Sequence, residues 1–197
     1  GIRDKLVTGV QTCALPIFMK GEWSYYTNRF SKEQCELIIN EGLKLPGQKA
    51  ALGVNGEGEN NDYRKSNIHF IKREHIQFAW LFDEMWKMAI ECNHDWFGFH
   101  LTKLDFMQLA EYDAAYEGEY KKHHDVFWVN GTQYHRKLSA VVQLSDPNDY
   151  DGGDLKIYNQ NEPLDSNAIR GQGSVVFFPS FIEHQAEKVT KIGRAHV

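Results

Sequence analysis

The second half of the chain carries the feature that most constrains its fold, a series of short apolar runs separated by turn signals. Five runs rich in β-branched and aromatic residues begin after residue 103: LDFMQLAEY, FWV, KLSAVVQLS, DLKIYN and GSVVFFPS. Between them lie EGE, NG, DPNDYDGG and RGQG, and Gly, Asn, Asp and Pro favour turns. Short strands at this spacing predict an all-β sandwich or barrel and not a series of βαβ units.

A first helix is predicted ahead of these strands, over residues 31–45. Ser31 is a candidate N-cap, and Gln34 stands three residues later, which is the capping-box spacing. The predicted apolar face of this helix consists of Leu37, Ile38 and Leu43.

A second and longer helix is predicted over residues 73–93, where apolar residues recur at helical spacing. Its predicted buried side is formed by Ile76, Ala79, Trp80, Phe82, Trp86 and Ile90. The predicted fold class is therefore α+β, with two helices followed by a jelly-roll barrel, also called a double-stranded β-helix.

The two ends of the chain differ in character from the rest. Residues 7–17, VTGVQTCALPI, and residues 192–197, IGRAHV, resemble translations of sequencing adapters. A short secretion signal is the alternative for the first segment, but its threonines, glutamine and proline make a poor apolar core. We expect residues 1–17 and 192–197 to be adapter artefacts, and residues 18–191 to be one domain that is truncated at its C-terminal end.

Composition limits the function classes open to this domain. Removing Arg3, Lys5 and Arg194 from 22 basic residues, and Asp4 from 27 acidic residues, leaves a formal charge of −7. That charge disfavours nucleic-acid and anionic-membrane surfaces as partners. No run approaches the roughly 20 apolar residues that span a bilayer. Cys35 and Cys92 are too few for a disulfide framework, so a cytoplasmic protein is predicted, with its oligomeric state open.

A candidate metal site lies in the stretch YKKHHDVFW, residues 120–128. On an extended segment His123 and Asp125 project to one side and His124 to the other. His184 follows a strand and a Pro-containing turn, 59 residues after Asp125. Two histidines and one carboxylate with open positions are the pattern of non-haem Fe(II) oxygenases, while a zinc site with the same ligands is the alternative.

Five blocks of the sequence resemble the prolyl-4-hydroxylase-like branch of the iron(II)- and 2-oxoglutarate-dependent dioxygenases. They stand in the order of that family: FSKEQCELII, YRKSNIHFI, LAEYDAAYEGEYKKHHD, RKLSAVVQLSDPNDYDGGDL and GSVVFFPSFIEHQAEKVT. The resemblance covers nearly the whole of residues 18–191, which it makes a single dioxygenase domain. It implies Fe(II), 2-oxoglutarate and O2, with ascorbate as a possible addition, and the release of succinate and CO2.

The resemblance also implies roles for individual residues. His123, Asp125 and His184 would hold the iron and carry the catalysis. Gln143 and Leu155 fall where side chains line the 2-oxoglutarate pocket, and Tyr112 falls where a tyrosine hydroxyl faces the cosubstrate. Ordinary packing is the alternative for Tyr112 and Gln143, and a packing or solvent-facing role is expected for His124.

The resemblance also implies a basic residue that holds the cosubstrate's free carboxylate. The family supplies it about ten residues after the distal histidine, and Arg194 stands ten residues after His184. Arg194 lies in the adapter-like end, however, and the family's preceding glycine is displaced by one. We therefore expect this match to be accidental, and the chain as given to bind 2-oxoglutarate poorly.

The substrate is left open by the sequence. A prolyl residue in a peptide, a free amino acid and another small molecule all agree with the motif. A non-catalytic cupin-like binding barrel and a truncated, inactive oxygenase fragment are the alternative functions. A halogenase of this fold would have a small residue in place of Asp125, so the carboxylate disfavours that reading.

Overall fold

The fold is known from a computed structural model, which describes residues 21–49, 62–126, 135–158, 166–191 and 194–197. Three α-helices lie in these ranges: α1 (Lys32–Gly42), α2 (Ala79–Cys92) and the short α3 (Ser166–Ile169). A 3-10 turn, Ile76–Phe78, leads into α2, and a π-helical turn, Asn93–Phe97, follows it. The predicted adapter segment 1–17 and the predicted strand FWV lie outside the described residues.

Thirteen short strands are present in the described part of the chain. In chain order they are β1 (Ser24–Tyr26), β2 (Gly47–Lys49), β3 (Arg64–Lys65), β4 (Asn67–Ile71), β5 (Met107–Asp113), β6 (Glu119–His123), β7 (Leu138–Val142), β8 (Asp151–Gly152), β9 (Leu155–Ile157), β10 (Val175–Pro179), β11 (His184–Ala186), β12 (Val189–Lys191) and β13 (Arg194–His196).

The strands pair antiparallel in four sheets, with the orders β1-β10-β7, β13-β5-β4-β2, β3-β6-β11-β9 and β12-β8. Backbone hydrogen bonds also connect neighbouring sheets. The amide of Leu144, just beyond β7, donates to the carbonyl of His196 in β13 at 3.0 Å. The amide of Gly153 donates to the carbonyl of Lys188 at 2.9 Å, which links the β8–β12 pair to the sheet that contains β9 and β11. Backbone hydrogen bonds therefore continue from one sheet into the next.

Helix α1 begins as the sequence predicts. The Ser31 amide donates to Gln34 Oε1 at 2.9 Å, and the Gln34 amide donates to Ser31 Oγ at 3.3 Å. This reciprocal capping box satisfies two of the amide groups that a helix N-terminus leaves without intrahelical partners.

The predicted apolar faces of both helices need correction. Ile76 is 84% exposed and Ile90 is 41% exposed, and in α1 both Leu37 and Leu43 are exposed while Ile38 is buried. In the second helix the prediction is right for Phe82, which is fully buried, and for Trp80, which packs against the core. The other buried residues of this segment are Phe78, Leu81, Met85, Met88 and Cys92. The error follows from a segment that is apolar on several sides, so that periodicity alone did not identify the side that meets the sheet.

A helix-side core lies between the helices and the sheets. We use this name for the buried cluster that joins Cys35, Ile38, Phe78, Phe82, Met88, Cys92 and Phe97 to Leu109 of β5 and to Val175 and Phe177 of β10. The other face of β10 is buried too, because Val176 and Phe178 pack with Leu155, Ile157 and Ile169. Strand β10 thus has apolar neighbours on both faces and forms the centre of the fold.

The prediction of a mixed helix and sheet protein is confirmed. The order is less simple than predicted, since β1 precedes α1, strands β2 to β4 separate the two long helices, and α3 lies among the later strands. No helix within the described ranges is both long enough and apolar enough to cross a membrane.

Candidate metal centre

His123, Asp125 and His184 converge at one end of the sheet that contains β6 and β11. His123 is the last residue of β6, His184 is the first residue of β11, and the two are direct partners in the strand register. Among the described residues, these three form the only group of three or more potential metal ligands, with ligand atoms all within 4.8 Å of one another. Asp125 Oδ1 lies 3.7 Å from His123 Nε2, and Asp125 Oδ2 lies 3.6 Å from His184 Nε2.

Both imidazole rings are oriented by backbone carbonyl groups. His123 Nδ1 lies 2.7 Å from the carbonyl oxygen of Lys121, and His184 Nδ1 lies 3.0 Å from that of Ile182. A carbonyl oxygen only accepts hydrogen bonds, so each Nδ1 carries the proton. In the neutral ring this leaves the lone pair on Nε2, which is the atom that faces Asp125 in both histidines.

The surroundings of His123 favour a neutral imidazole. Burial, followed by the neighbouring His184, lowers the pKa of His123 from 6.5 to about 4. A neutral imidazole nitrogen and a carboxylate oxygen are the donor types that non-haem iron binds, so the residues present fit an iron ion.

Aromatic and hydroxyl groups surround the three side chains. The Tyr120 ring stacks on the His123 ring with centroids 3.4 Å apart, and the Arg64 guanidinium lies 4.3 Å from the centroid of Tyr120. Ser139 Oγ donates to Asp125 Oδ2 at 2.6 Å. We call His123, Asp125, His184 and Ser139 the metal end of the molecule.

The metal end opens into a large cavity of about 1860 Å³ between the sheets. Tyr112, Gln143 and Leu155, which the sequence singled out, line the same cavity and are 5%, 5% and 6% exposed. Burial raises the pKa of the Tyr112 hydroxyl, while the nearby Arg64 acts in the opposite direction. These three residues therefore border the same cavity as the triad, and their roles toward the cosubstrate stay predictions.

Arg194 lies on strand β13, which pairs with β5. It lies in β13 opposite Asp113, whereas its neighbour Ala195 lies opposite Tyr112. The placement of the Arg194 side chain is outside what the structure describes, so its role remains a prediction.

Three residues near the triad were missed from the sequence: Arg64, Tyr120 and Ser139. Tyr120 stands in the motif stretch itself, and Arg64 stands in the block YRKSNIHFI, so both carried a weak signal. Ser139 stands in the block RKLSAVVQLSDPNDYDGGDL, but its contact with Asp125 depends on the pairing of β7 with β10 and could not be predicted from local sequence.

A family model matches the part of the chain that holds this site. Residues 107–196 match the 2OG-Fe(II) oxygenase superfamily. The matched segment contains the whole triad as well as Tyr112, Gln143 and Leu155. Comparison with curated protein sequences gives no match.

Several solved structures share the fold. A prolyl-4-hydroxylase from Pseudomonas putida has a TM-score of 0.66 and 17% identity, over 90% of this chain and 89% of that one. A prolyl hydroxylase from Trichoplax adhaerens, in complex with a hypoxia inducible factor oxygen degradation domain peptide fragment, has a TM-score of 0.68 and 15% identity, over 98% and 89%. The viral collagen prolyl hydroxylase of Paramecium Bursaria Chlorella virus-1 has a TM-score of 0.62 and 16% identity, over 90% and 93%.

The geometry of the triad, the family match and the shared fold agree with one another. The resemblance predicted from the sequence is confirmed: residues 107–196 match the 2OG-Fe(II) oxygenase superfamily, a match that implies Fe(II), 2-oxoglutarate and O2, and they hold the His-Asp-His group.

Proposed function

We propose that this protein is an Fe(II)- and 2-oxoglutarate-dependent dioxygenase that hydroxylates a prolyl residue or another amino-acid-type substrate and releases succinate and CO2. The observation that carries the proposal is the convergence of His123, Asp125 and His184, with both Nε2 atoms facing one carboxylate, inside the segment that matches the superfamily.

In this proposal the three side chains hold the iron from one side. Three protein ligands leave positions for the two oxygens of a 2-oxo acid and for dioxygen. When bound, the iron supplies the oxidising chemistry that couples decarboxylation of the cosubstrate to hydroxylation of a substrate C–H bond. The protein orients the ligands through the carbonyl groups of Lys121 and Ile182, and it keeps the His123 imidazole neutral.

The cosubstrate would lie in the cavity beside the triad. We propose that the Tyr112 hydroxyl faces it and that Gln143 and Leu155 line its pocket, because all three border the same cavity as the ligands. A carboxylate in a poorly hydrated pocket needs a compensating cation. Arg194 is one candidate for this cation, and Arg194→Ala would leave succinate formation unchanged if its match to the family is accidental.

Two observations support the finer parts of the proposal. The chain has the same fold as three prolyl hydroxylases, and this similarity favours a double-stranded β-helix here. The Trichoplax adhaerens protein was solved with a peptide fragment, which favours a peptide as the substrate here.

The test is a succinate-release assay with a panel of prolyl peptides and free amino acids. We expect succinate to form only when Fe(II), 2-oxoglutarate and O2 are all present, and to rise with one class of substrate. The matched control is the double variant Asp125→Ala/His184→Ala, which should release none. Succinate formation that persists in this double variant would contradict the proposal.

A further inference from the structure

The carboxylate of Asp125 accepts a hydrogen bond from a hydroxyl group that is not one of the three candidate metal ligands. Ser139 Oγ lies 2.6 Å from Asp125 Oδ2. This distance falls in the range of about 2.5–2.7 Å typical of a hydroxyl that donates to an ionised carboxylate, which is stronger than a neutral hydrogen bond. Ser139 lies on β7, and Asp125 lies beyond the end of β6, so the contact joins different sheets.

A second serine supports the first. Ser180 Oγ lies 2.9 Å from Ser139 Oγ, and Ser180 is 0% exposed. A serine hydroxyl has one hydrogen, and that of Ser139 is donated to Asp125. The Ser180 hydroxyl must therefore be the donor to Ser139, which makes a directed chain from Ser180 through Ser139 to the carboxylate. Hydrogen bonds arranged in such a chain polarise and strengthen one another.

The backbone of Ser180 holds the other end of Asp125. The Asp125 amide donates to the Ser180 carbonyl at 2.8 Å, and the Ser180 amide donates to the Lys137 carbonyl at 3.0 Å. Main chain and side chain of Asp125 are thus both fixed to the segments that contain Ser139 and Ser180. The terminal torsion of an aspartate is broad and would otherwise leave the plane of its carboxylate free to turn.

We propose that Ser139 and Ser180 form a two-hydroxyl relay that positions the Asp125 carboxylate for metal binding. The relay engages Oδ2 and so fixes the plane of the carboxylate between the two histidines, whose Nε2 atoms lie 3.7 Å from Oδ1 and 3.6 Å from Oδ2. The inference rests on the proposed function of the triad, and both serines are positioning residues that do not themselves bind the metal.

The test measures metal affinity without turnover. Co(II) is titrated into the parent protein and its variants, and the visible absorption bands of bound Co(II) give both the affinity and the coordination of the ion. We expect Ser139→Ala to weaken binding by about 10- to 100-fold, as removal of groups that orient metal ligands generally does. We expect Ser139→Thr, which keeps the hydroxyl and suits a strand, to retain most of the affinity with parent-like bands.

Two further variants make the result specific. Ser180→Ala should weaken binding less than Ser139→Ala, because it removes only the second hydroxyl of the chain. Ser145→Ala deletes another buried serine hydroxyl, one that bonds to His196 and not to the triad, so it should bind Co(II) like the parent. Circular dichroism shows whether each variant is folded. If Ser139→Ala does not fold, the Co(II) affinity of Ser180→Ala tests the relay in its place.

Three outcomes would overturn the relay. Parent-like affinity and bands in both Ser139→Ala and Ser180→Ala would show that the hydroxyls do not position Asp125. Equal loss of Co(II) affinity in Ser139→Thr and Ser139→Ala would show that the site depends on the size of the side chain at position 139 and not on its hydroxyl group. A parent protein that binds no Co(II) would overturn the metal site itself and the relay with it, which distinguishes the two failures.

Discussion

The helix-side core and the metal end are built from opposite kinds of side chain. In the helix-side core, Phe82, Met88, Cys92 and Phe97 are fully buried, and apolar contacts are their main interactions. At the metal end the side chains of His123, Asp125 and His184 remain 10%, 28% and 7% exposed, and hydrogen bonds hold them in place. The first region stabilises the fold through area removed from water. The second places two imidazoles and a carboxylate together, which favours binding over stability.

Substitutions in the two regions should therefore affect different properties of the protein. Changes in the helix-side core should lower the free energy of unfolding, while changes at the metal end should remove metal binding from a protein that stays folded. Each prediction that follows tests this separation, and the first has the largest expected effect.

Adjacent histidines at the metal end should behave differently. His123→Ala should abolish Co(II) or Fe(II) binding, because it removes one of three ligands. His124→Ala should retain it, because the His124 side chain is exposed and is not one of the three grouped ligands. Metal titration with circular dichroism on both variants gives the comparison, and equal loss of binding from two folded proteins would contradict it.

In the helix-side core, Phe82→Ala should destabilise the protein by about 3–5 kcal/mol, the usual range for truncating a fully buried phenylalanine. Urea denaturation measures the change. Ile76→Ala is the matched control, because Ile76 is 84% exposed and its truncation should change stability by less than about 0.5 kcal/mol. A loss under about 1 kcal/mol in Phe82→Ala would mean that this core is loosely packed.

The cysteines of the helix-side core should be protected from thiol reagents. Burial raises the pKa of the Cys35 thiol to about 11 and also raises that of Cys92, so both remain neutral at pH 8. The third cysteine of the chain, Cys13, is first replaced by serine so that only Cys35 and Cys92 can react. Because the thiolate is the reactive form, a disulfide reagent should then react slowly with the native protein and rapidly after denaturation.

The same shift gives a sign for the effect of alkaline pH. An unfolded cysteine ionises near its ordinary pKa of 9.0, whereas folded Cys35 holds its proton to about 11. Between these values the unfolded state binds fewer protons, so stability should fall as pH rises. Cys35→Ala should reduce that fall, and reaction of native Cys35 at the rate of a free thiol would contradict the burial.

The smallest effect is expected outside both regions. Glu117 pairs with Lys188 at 3.1 Å, and Lys188 lowers the pKa of the Glu117 carboxyl. Both side chains are well exposed, so water and salt screen the pair. Glu117→Gln should leave the urea midpoint unchanged in 0.15 M salt, a concentration at which the Debye length is about 8 Å. A resolved decrease would show that surface charge contributes more than the comparison assumes.

The sequence predicted the metal end better than the helix-side core. The triad could be predicted because the ligand types are distinctive, whereas the alternation argument does not apply, since β6 ends at His123 and Asp125 lies beyond it. The buried faces of the helices could not, since Ile76 and Ile90 are as apolar as the residues that pack. Ser139 was out of reach for a different reason, because strand register and not local pattern brings it to Asp125.

The direct pairing of His123 with His184 has a consequence for changes in chain length. The Asp125 amide fixes the Ser180 carbonyl, and four residues later His184 must arrive with its ring on the same face as His123. Residues 180–183 form a turn, in which the Ile182 amide donates to the Pro179 carbonyl at 2.9 Å, and β11 begins directly after it at His184. A residue inserted or deleted in this turn would have to be absorbed before His184, because a shift of one residue in the register of β11 would place a neighbouring residue opposite His123. The length of the short connection after β10 is therefore limited by the register of the strand that follows it.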